Sequence, residues 1–509
     1  MKALFWLAFV LVLNPQLAPR QAAALRFEVT VAPELLSGPA DGRLFVVLSR
    51  SERPEPRTTI GETGLNQPAV AARDIKRFVA GTVATIDESA ATFPIENLSR
   101  LEPGDYYVQA LFDSNIDLRS VNAPGNLYST VQRIALDPKT SGPIKLTLTQ
   151  RVPPESMPPD TEYVKYVKIE SKLLTRFHGR PIHLRAGVIL PRNYELDPAR
   201  RYPLRVHIGG YGTRFTAAGR MMVQGSEFRS AWLADDAPRM VLLYLDGDGP
   251  YGDCYQVNSD NNGPYGDAIT QELIAYVEQK FRCIGKPEAR VLDGGSTGGW
   301  VSLALQVFYP DFFNGTWSYC PDPVDFRAFQ LVNIYDDRNA YVNRNGFERP
   351  SARELNGDVR FTMRHECQME NVMGAGDSWT MSGEQWGAWN AAYGARGADG
   401  RPEPLWDPKT GVINRAAAEH WKRYDIGMIL QRNWKTLGPK LQGKIHIWIG
   451  ESDDYFLNNA VHLLDAFLSK ADPPYGGSIS FGPGKGHCWL GLSGRQLMEE
   501  MGAAVKATR

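Results

Sequence analysis

The 509-residue chain has no surplus of charge, since 56 lysines and arginines face 57 aspartates and glutamates. With no basic field and no run of basic residues, it has no electrostatic means of gathering nucleic acid or an anionic membrane surface. Long apolar runs are missing too: no stretch approaches the roughly 20 residues that a stable membrane span needs. Cysteine is scarce, with five in all and none before Cys254, which leaves a lipid-anchored start without support. Zinc spacings such as His-Glu-x-x-His do not occur. The acidic stretch Asp246-Gly247-Asp248-Gly249-Pro250-Tyr251-Gly252-Asp253 lacks the spacing and terminal glutamate of a calcium loop, and Pro250 stands at a ligand position. It reads as a tight turn at a sheet edge. These absences point to small or neutral partners, with no metal and no cofactor expected.

Lys2, the apolar run Ala3 to Leu13 and the small residues Gln21-Ala22-Ala23-Ala24 have the form of a secretory signal cut after Ala24. The expected location is secreted or periplasmic. Export permits disulfides. Cys254 with Cys283 and Cys320 with Cys367 are the expected pairs, because the first two flank one helix and the second two belong to one insert. Cys488 is then left free.

From Leu25 to about Gln150, apolar residues alternate with polar ones, as in Phe27, Val29 and Val31, and turns such as Glu102-Pro103-Gly104-Asp105 separate the runs. This predicts a small all-β sandwich over 25–150. A linker at 151–162 holds Pro153, Pro154, Pro158 and Pro159 and predicts a stiff, extended spacer. Beyond it, strands alternate with helices over 163–509, which argues for an α/β domain with a mostly parallel sheet. Eight strands are expected: Val164 to Leu173, Ile182 to Leu190, Leu204 to Ile208, Met240 to Leu245, Val291 to Gly294, Gly315 to Tyr319, Lys444 to Ile449 and Ser478 to Phe481. The first two form an antiparallel pair. A helix over Asp267 to Phe281 precedes the fifth strand. Between about 320 and 440 the alternation lapses, and six of the twelve tryptophans fall there. A structureless loop of that length is implausible, so the segment reads as an inserted, lid-like subdomain. Its indoles either fill the insert's own core or line a substrate cleft.

The chemistry centres on Val291-Leu292-Asp293-Gly294-Gly295-Ser296-Thr297-Gly298-Gly299-Trp300. An apolar strand runs into a glycine-flanked serine and out into a helix, as a nucleophile elbow requires. Gly-x-Ser-x-Gly alone is a short pattern that arises readily by chance, so the partners decide. A serine needs an imidazole to take its proton and a carboxylate to orient that imidazole. Where such elbows occur, the order along the chain is Ser, acid, His. His487, in the glycine-rich loop after the last strand, fits as the base. His462 sits on the polar side of an amphipathic helix and reads as a surface residue. The acid belongs after the Lys444 to Ile449 strand, where Asp453 is the first choice and Asp454 the fallback. An oxyanion pocket needs two backbone donors. One is the N–H of Thr297; the other comes from His207-Ile208-Gly209-Gly210-Tyr211-Gly212, with Gly210 and Tyr211 both open.

From Val164 onward the chain resembles the esterases of the α/β-hydrolase fold that include esterase D-like, feruloyl, acetyl-xylan and enterochelin esterases. The resemblance is carried by Asn258 to Asp267, Gly295-Ser296-Thr297-Gly298-Gly299-Trp300 and Cys320-Pro321-Asp322-Pro323-Val324-Asp325-Phe326. It implies Ser296, Asp453 and His487 as the triad, with the acid three residues beyond Gly450. Asp454 is then better placed as an N-terminal cap of the Leu457 to Leu468 helix, where a carboxylate offsets unpaired N–H groups. It implies a small-molecule or carbohydrate-linked ester as substrate. His487-Cys488 is similar to tannase-type esterases, in which the cysteine beside the histidine bonds one beside the serine; Gly295 stands where that partner would be, so the clamp is expected to be absent. The N-terminal sandwich lies outside the resemblance and reads as a carbohydrate-binding or spacing module. Two rival functions use the same residues: an acyltransferase, and a catalytically silent envelope binding protein.

Overall fold

The computed structural model describes residues 24–64 and 66–506; the expected signal segment lies outside them apart from Ala24. The C-terminal sheet has eight strands, labelled here β1 (Val164–Glu170), β2 (His183–Ile189), β3 (Leu204–Ile208), β4 (Val241–Leu245), β5 (Arg290–Gly295), β6 (Thr316–Tyr319), β7 (Ile445–Gly450) and β8 (Ser478–Gly482). Their spatial order is β1-β2-β4-β3-β5-β6-β7-β8. β2 pairs antiparallel with both β1 and β4, and the remaining neighbours run parallel. This is the α/β-hydrolase arrangement. β3 and β4 are buried along their whole length, as strands covered by helices on both faces must be. Crossing from β3 to β5 at the centre puts the C-terminal ends of these two strands side by side, with Ile208 opposite Gly294. The loops that follow them therefore meet.

The N-terminal region departs from a simple antiparallel sandwich. Among the described residues its strands form one continuous nine-stranded sheet, curled about a core that includes Phe27, Val46, Phe112 and Leu146. Its first strand, Arg26–Val31, lies parallel to its last, Pro143–Arg151. Nor is the linker a free spacer: Val152 is buried, and Glu155 pairs with Arg185 at 3.3 Å and Arg214 at 2.9 Å.

The outer face of this sheet packs on the insert. Phe45, Val47, Val70 and Phe93 share a cluster with Met369, Val372 and Met373, which lie on the helix Met363–Met373. Arg43, almost fully buried, pairs with Asp74 at 2.6 Å and with Asp377 at 2.7 Å, and donates to the Val372 carbonyl. A charge of that kind is kept in a low-dielectric contact only when it is paired and hydrogen-bonded. The six tryptophans of the insert are all buried. Trp379 stacks on Trp406 at 4.6 Å, and Trp386 meets Trp389 edge-on at 4.8 Å. All six belong to one core that is continuous with that of the sheet, Leu292 and Trp300 included, and Trp389 alone of the six reaches the cavity described below. The helix expected over Asp267 to Phe281 is present with a π-helical turn, Ile269–Leu273, in its middle.

Candidate active site

β5 delivers Ser296 into a turn that side chains other than glycine cannot share. Ser296 itself sits at φ 56°, ψ −125°, a sparsely populated conformation that costs on the order of 1–3 kcal/mol. The glycines around it are dictated by contact. A Cβ on Gly294 would lie 2.3 Å from the Gly298 carbonyl oxygen, and one on Gly298 would lie 2.1 Å from the Ile208 carbonyl oxygen. The helix Thr297–Phe308 starts at once behind the serine and is buried up to Val307.

Beneath the turn, Asp293 is fully buried. It accepts two bonds from Arg205, at 2.8 and 2.7 Å, and one from His207 Nδ1 at 2.8 Å. Burial acts to raise the Asp293 carboxyl, yet the charges and hydrogen bonds of Arg205 and His207 outweigh it and hold it well below the usual carboxylate range. The pair ties β3 to β5 just where the two site loops diverge. Removing one partner of such a buried pair costs about 3–5 kcal/mol.

His487 follows β8. Its Nε2 lies 3.1 Å from Ser296 Oγ, and its Nδ1 lies 2.8 Å from Asp453 Oδ2. Asp453 is fully buried, and its other oxygen accepts the N–H groups of Tyr455 and Leu457. Burial works against a charged His487, but the bond and charge of Asp453 outweigh it, and the imidazole pKa is raised above its ordinary value. Asp454 does not cap the following helix as expected. That helix starts at Asn458 with no side-chain cap, since Asp453 already satisfies Leu457 N–H. Asp454 instead turns to the histidine loop and accepts the backbone N–H of His487 at 3.0 Å. His462 is half exposed and pairs with Glu451.

On the other side of Ser296, Gly210 comes close enough that a Cβ there would be 3.7 Å from Ser296 Cβ. Among the described residues, neither Thr297 N–H nor Tyr211 N–H has an acceptor. Thr297 is held from behind: its hydroxyl donates to Asp322 Oδ2 at 3.0 Å, an oxygen that also accepts from Tyr255 and Trp389. Asp322 was not singled out in the sequence as a site residue, and only its place directly after Cys320-Pro321 could have marked it.

The cysteines pair differently from expectation. Cys320 and Cys488 form a disulfide with their Cα atoms 4.8 Å apart, while Cys254, Cys283 and Cys367 are free and buried. Cys254 lies past the C-terminal end of β4, bonded to Gly247, whereas Cys283 lies beside Tyr202 at the entry to β3. They therefore lie at opposite ends of two neighbouring strands. A cysteine clamp beside the site is therefore present after all. It cannot start from position 295, where a Cβ would lie 2.1 Å from the Tyr319 ring. It starts from Cys320, one step past β6, whose Sγ is 3.2 Å from Ser296 N. Ser296, Cys320, Cys488 and His487 are thus locked in one cluster. The acidic turn is also accounted for, because Arg214 pairs with Asp246 at 2.6 Å and Asp248 at 3.4 Å.

Ser296 and His487 open into a cavity of about 300 Å³. Its walls come from the elbow, the insert and, through Gly61 and Thr63, the N-terminal domain, which is more than a spacer.

A family model described as "Putative esterase" matches residues 179–472. The chain belongs to that esterase family. It is accordingly a carboxylic ester hydrolase of the serine hydrolase kind, and the matched span reaches from before β2 to beyond β7. No curated protein matches the sequence. Among solved structures, a ferulic acid esterase is 14% identical, covering 68% of this chain and 98% of its own with a TM-score of 0.41. FphF, a fluorophosphonate-binding serine hydrolase of Staphylococcus aureus, is 14% identical over 67% and 99%, with a TM-score of 0.38. An S-formylglutathione hydrolase from Agrobacterium tumefaciens is 12% identical over 68% and 96%, with a TM-score of 0.37.

Peptide mapping of this esterase without reductant is expected to find Cys320 linked to Cys488, with Cys254, Cys283 and Cys367 alkylated only after unfolding. A peptide joining Cys254 to Cys283, or Cys488 recovered as a thiol, would contradict the clamp.

Proposed function

We propose that the chain is an exported serine esterase that cleaves a small-molecule or carbohydrate-linked ester through an acyl-enzyme on Ser296. The proposal is carried by one observation: the unbroken hydrogen-bonded line from Asp453 through His487 to Ser296, ending in a cavity. In this reading His487 Nε2 takes the hydroxyl proton as Ser296 Oγ attacks the ester carbonyl carbon. The carbonyl oxygen, now negative, is received by the N–H groups of Thr297 and of the Gly210-Tyr211 turn. His487 returns the proton to the departing alcohol. A water then repeats the attack and frees the acid. Asp453 fixes the Nδ1–H tautomer and stabilises the imidazolium formed between these steps. The reading calls on no metal or cofactor.

Asp453→Asn keeps the shape but favours the wrong tautomer, so kcat is expected to fall by about 10² to 10⁴. Asp454→Asn retains an oxygen to accept His487 N–H and is expected to lose less than about tenfold. The pH profile adds a sign. Asp453 favours the charged imidazole, so the neutral base of the wild type becomes abundant only above the ordinary histidine value of 6.5, and activity rises with pH through that shifted value. In Asp453→Asn the rising limb moves to lower pH. A crippled Asp454→Asn beside an active Asp453→Asn would reassign the acid, and two active variants would remove the triad.

Export is supported by the Lys2 to Ala24 pattern. Protein recovered from periplasm or medium is expected to begin at Leu25; full-length chain retained in the cytoplasm would sink this part of the proposal.

A further inference from the structure

The walls of the cavity beside Ser296 are acidic. Asp322, Glu366, Glu370 and Glu384 all line it. Three of these are held by hydrogen-bond donors. Glu370 accepts Trp386 N–H, Gly387 N–H and the Ser382 hydroxyl. Glu366 accepts Trp386 Nε1–H at 2.8 Å and the Ser351 hydroxyl. Asp322 has the three donors already described. Glu384 differs from them. Among the described residues its carboxylate has no hydrogen bond and no ion pair; the bonds of this residue are made by its backbone, whose N–H donates to the Ser382 hydroxyl and whose carbonyl accepts from Ala388 N–H.

Nothing in the fold calls for an unpaired carboxylate there. Burial, with Glu366 close by, pushes the Glu384 carboxyl up to about 8, so leaving it empty costs the folded protein free energy. The N-terminal domain closes over it: a Cβ on Gly61 would stand 3.2 Å from Glu384 Oε1. The same cavity is walled by the aromatic rings of Trp389, Tyr455 and Phe361. Arg360 also borders it, but that side chain is 40% exposed and has Glu354 3.4 Å away on its own hairpin. An unpaired carboxylate among aromatic faces is the chemistry that receives an organic cation, through ion pairing and cation–π attraction together.

We propose that Glu384 is the specificity determinant of this site and that the ester it selects carries a cationic, ammonium-type group, received between Glu384 and the aromatic wall. The proposal rests on the esterase reading of Ser296 and concerns only which ester is chosen.

The test uses the full chain and p-nitrophenyl acetate as reporter substrate, with two alcohols of equal shape as competitive inhibitors: choline, which is cationic, and 3,3-dimethylbutan-1-ol, which is neutral. Choline is expected to inhibit at least about tenfold more tightly, the scale of a desolvated cation–π contact with a counter-charge. In Glu384→Gln the two inhibition constants are expected to converge to within about twofold. Equal inhibition in the wild type, tighter binding of the neutral alcohol, no inhibition by either, or a preference that survives in Glu384→Gln would each overturn the assignment while leaving the esterase reading intact. If p-nitrophenyl acetate is not hydrolysed at all, the failure lies with the esterase reading, and this inference falls with it. A polyhydroxy compound such as xylose inhibiting more tightly than choline would also overturn it, marking the carboxylates as acceptors of sugar hydroxyls.

Discussion

The left-handed backbone at Ser296 is the constraint around which this molecule is arranged. A serine at φ 56° is held there only if every neighbouring atom makes the alternatives worse. Gly294 and Gly298 admit the chain crossing, Ser296 N–H donates to the Tyr319 carbonyl at 3.0 Å, and the buried Arg205–Asp293 pair fixes the two central strands below. The helix that starts at Thr297 then leaves its first N–H groups pointing back toward the serine, where negative charge is favoured. Strain at one residue is thus bound up with an anion-receiving site one residue on.

A second layer of order comes from the far end of the chain. His487 is positioned by four independent links: Asp453 at Nδ1, Asp454 at its backbone N–H, Ser296 at Nε2 and the disulfide through its neighbour Cys488. That disulfide spans 168 residues of sequence. It joins the loop after β6 to the loop after β8 and so encloses the whole insert between its ends. The insert in turn is braced by the N-terminal domain through Arg43 and the shared apolar cluster. Domains that a linear reading separates by a proline-rich spacer therefore close one cavity together.

The eight strands were legible because each is a short apolar run between turn residues, and buried parallel strands leave that signature; the first was expected to reach Leu173 but stops at Glu170, because Ser171 caps a helix over Lys172–His178. The Ser296, Asp453 and His487 constellation was legible because each residue lies in the turn or loop that follows its strand, so position along the chain stands in for position in space. What sequence could not give was anything set by contacts across the fold. The partner of Cys488 is such a case: the clamp moved to Cys320 because Tyr319 occupies the room a side chain at 295 would need. Asp454 was misplaced for a related reason, since a cap and a loop tether look alike until the neighbouring loop is in view. Gly61, Asp322 and Glu384 come from three distant segments and become one wall only through tertiary packing.

Hydrolysis and acyl transfer share every step up to the acyl-enzyme, so the central claim is that Ser296 is a base-activated nucleophile. The most direct measurement is labelling of the folded protein with a fluorophosphonate, followed by peptide mass spectrometry. The account predicts one adduct per chain, on Ser296, and none in His487→Ala. An adduct on another residue, or none on folded wild-type protein, would contradict it.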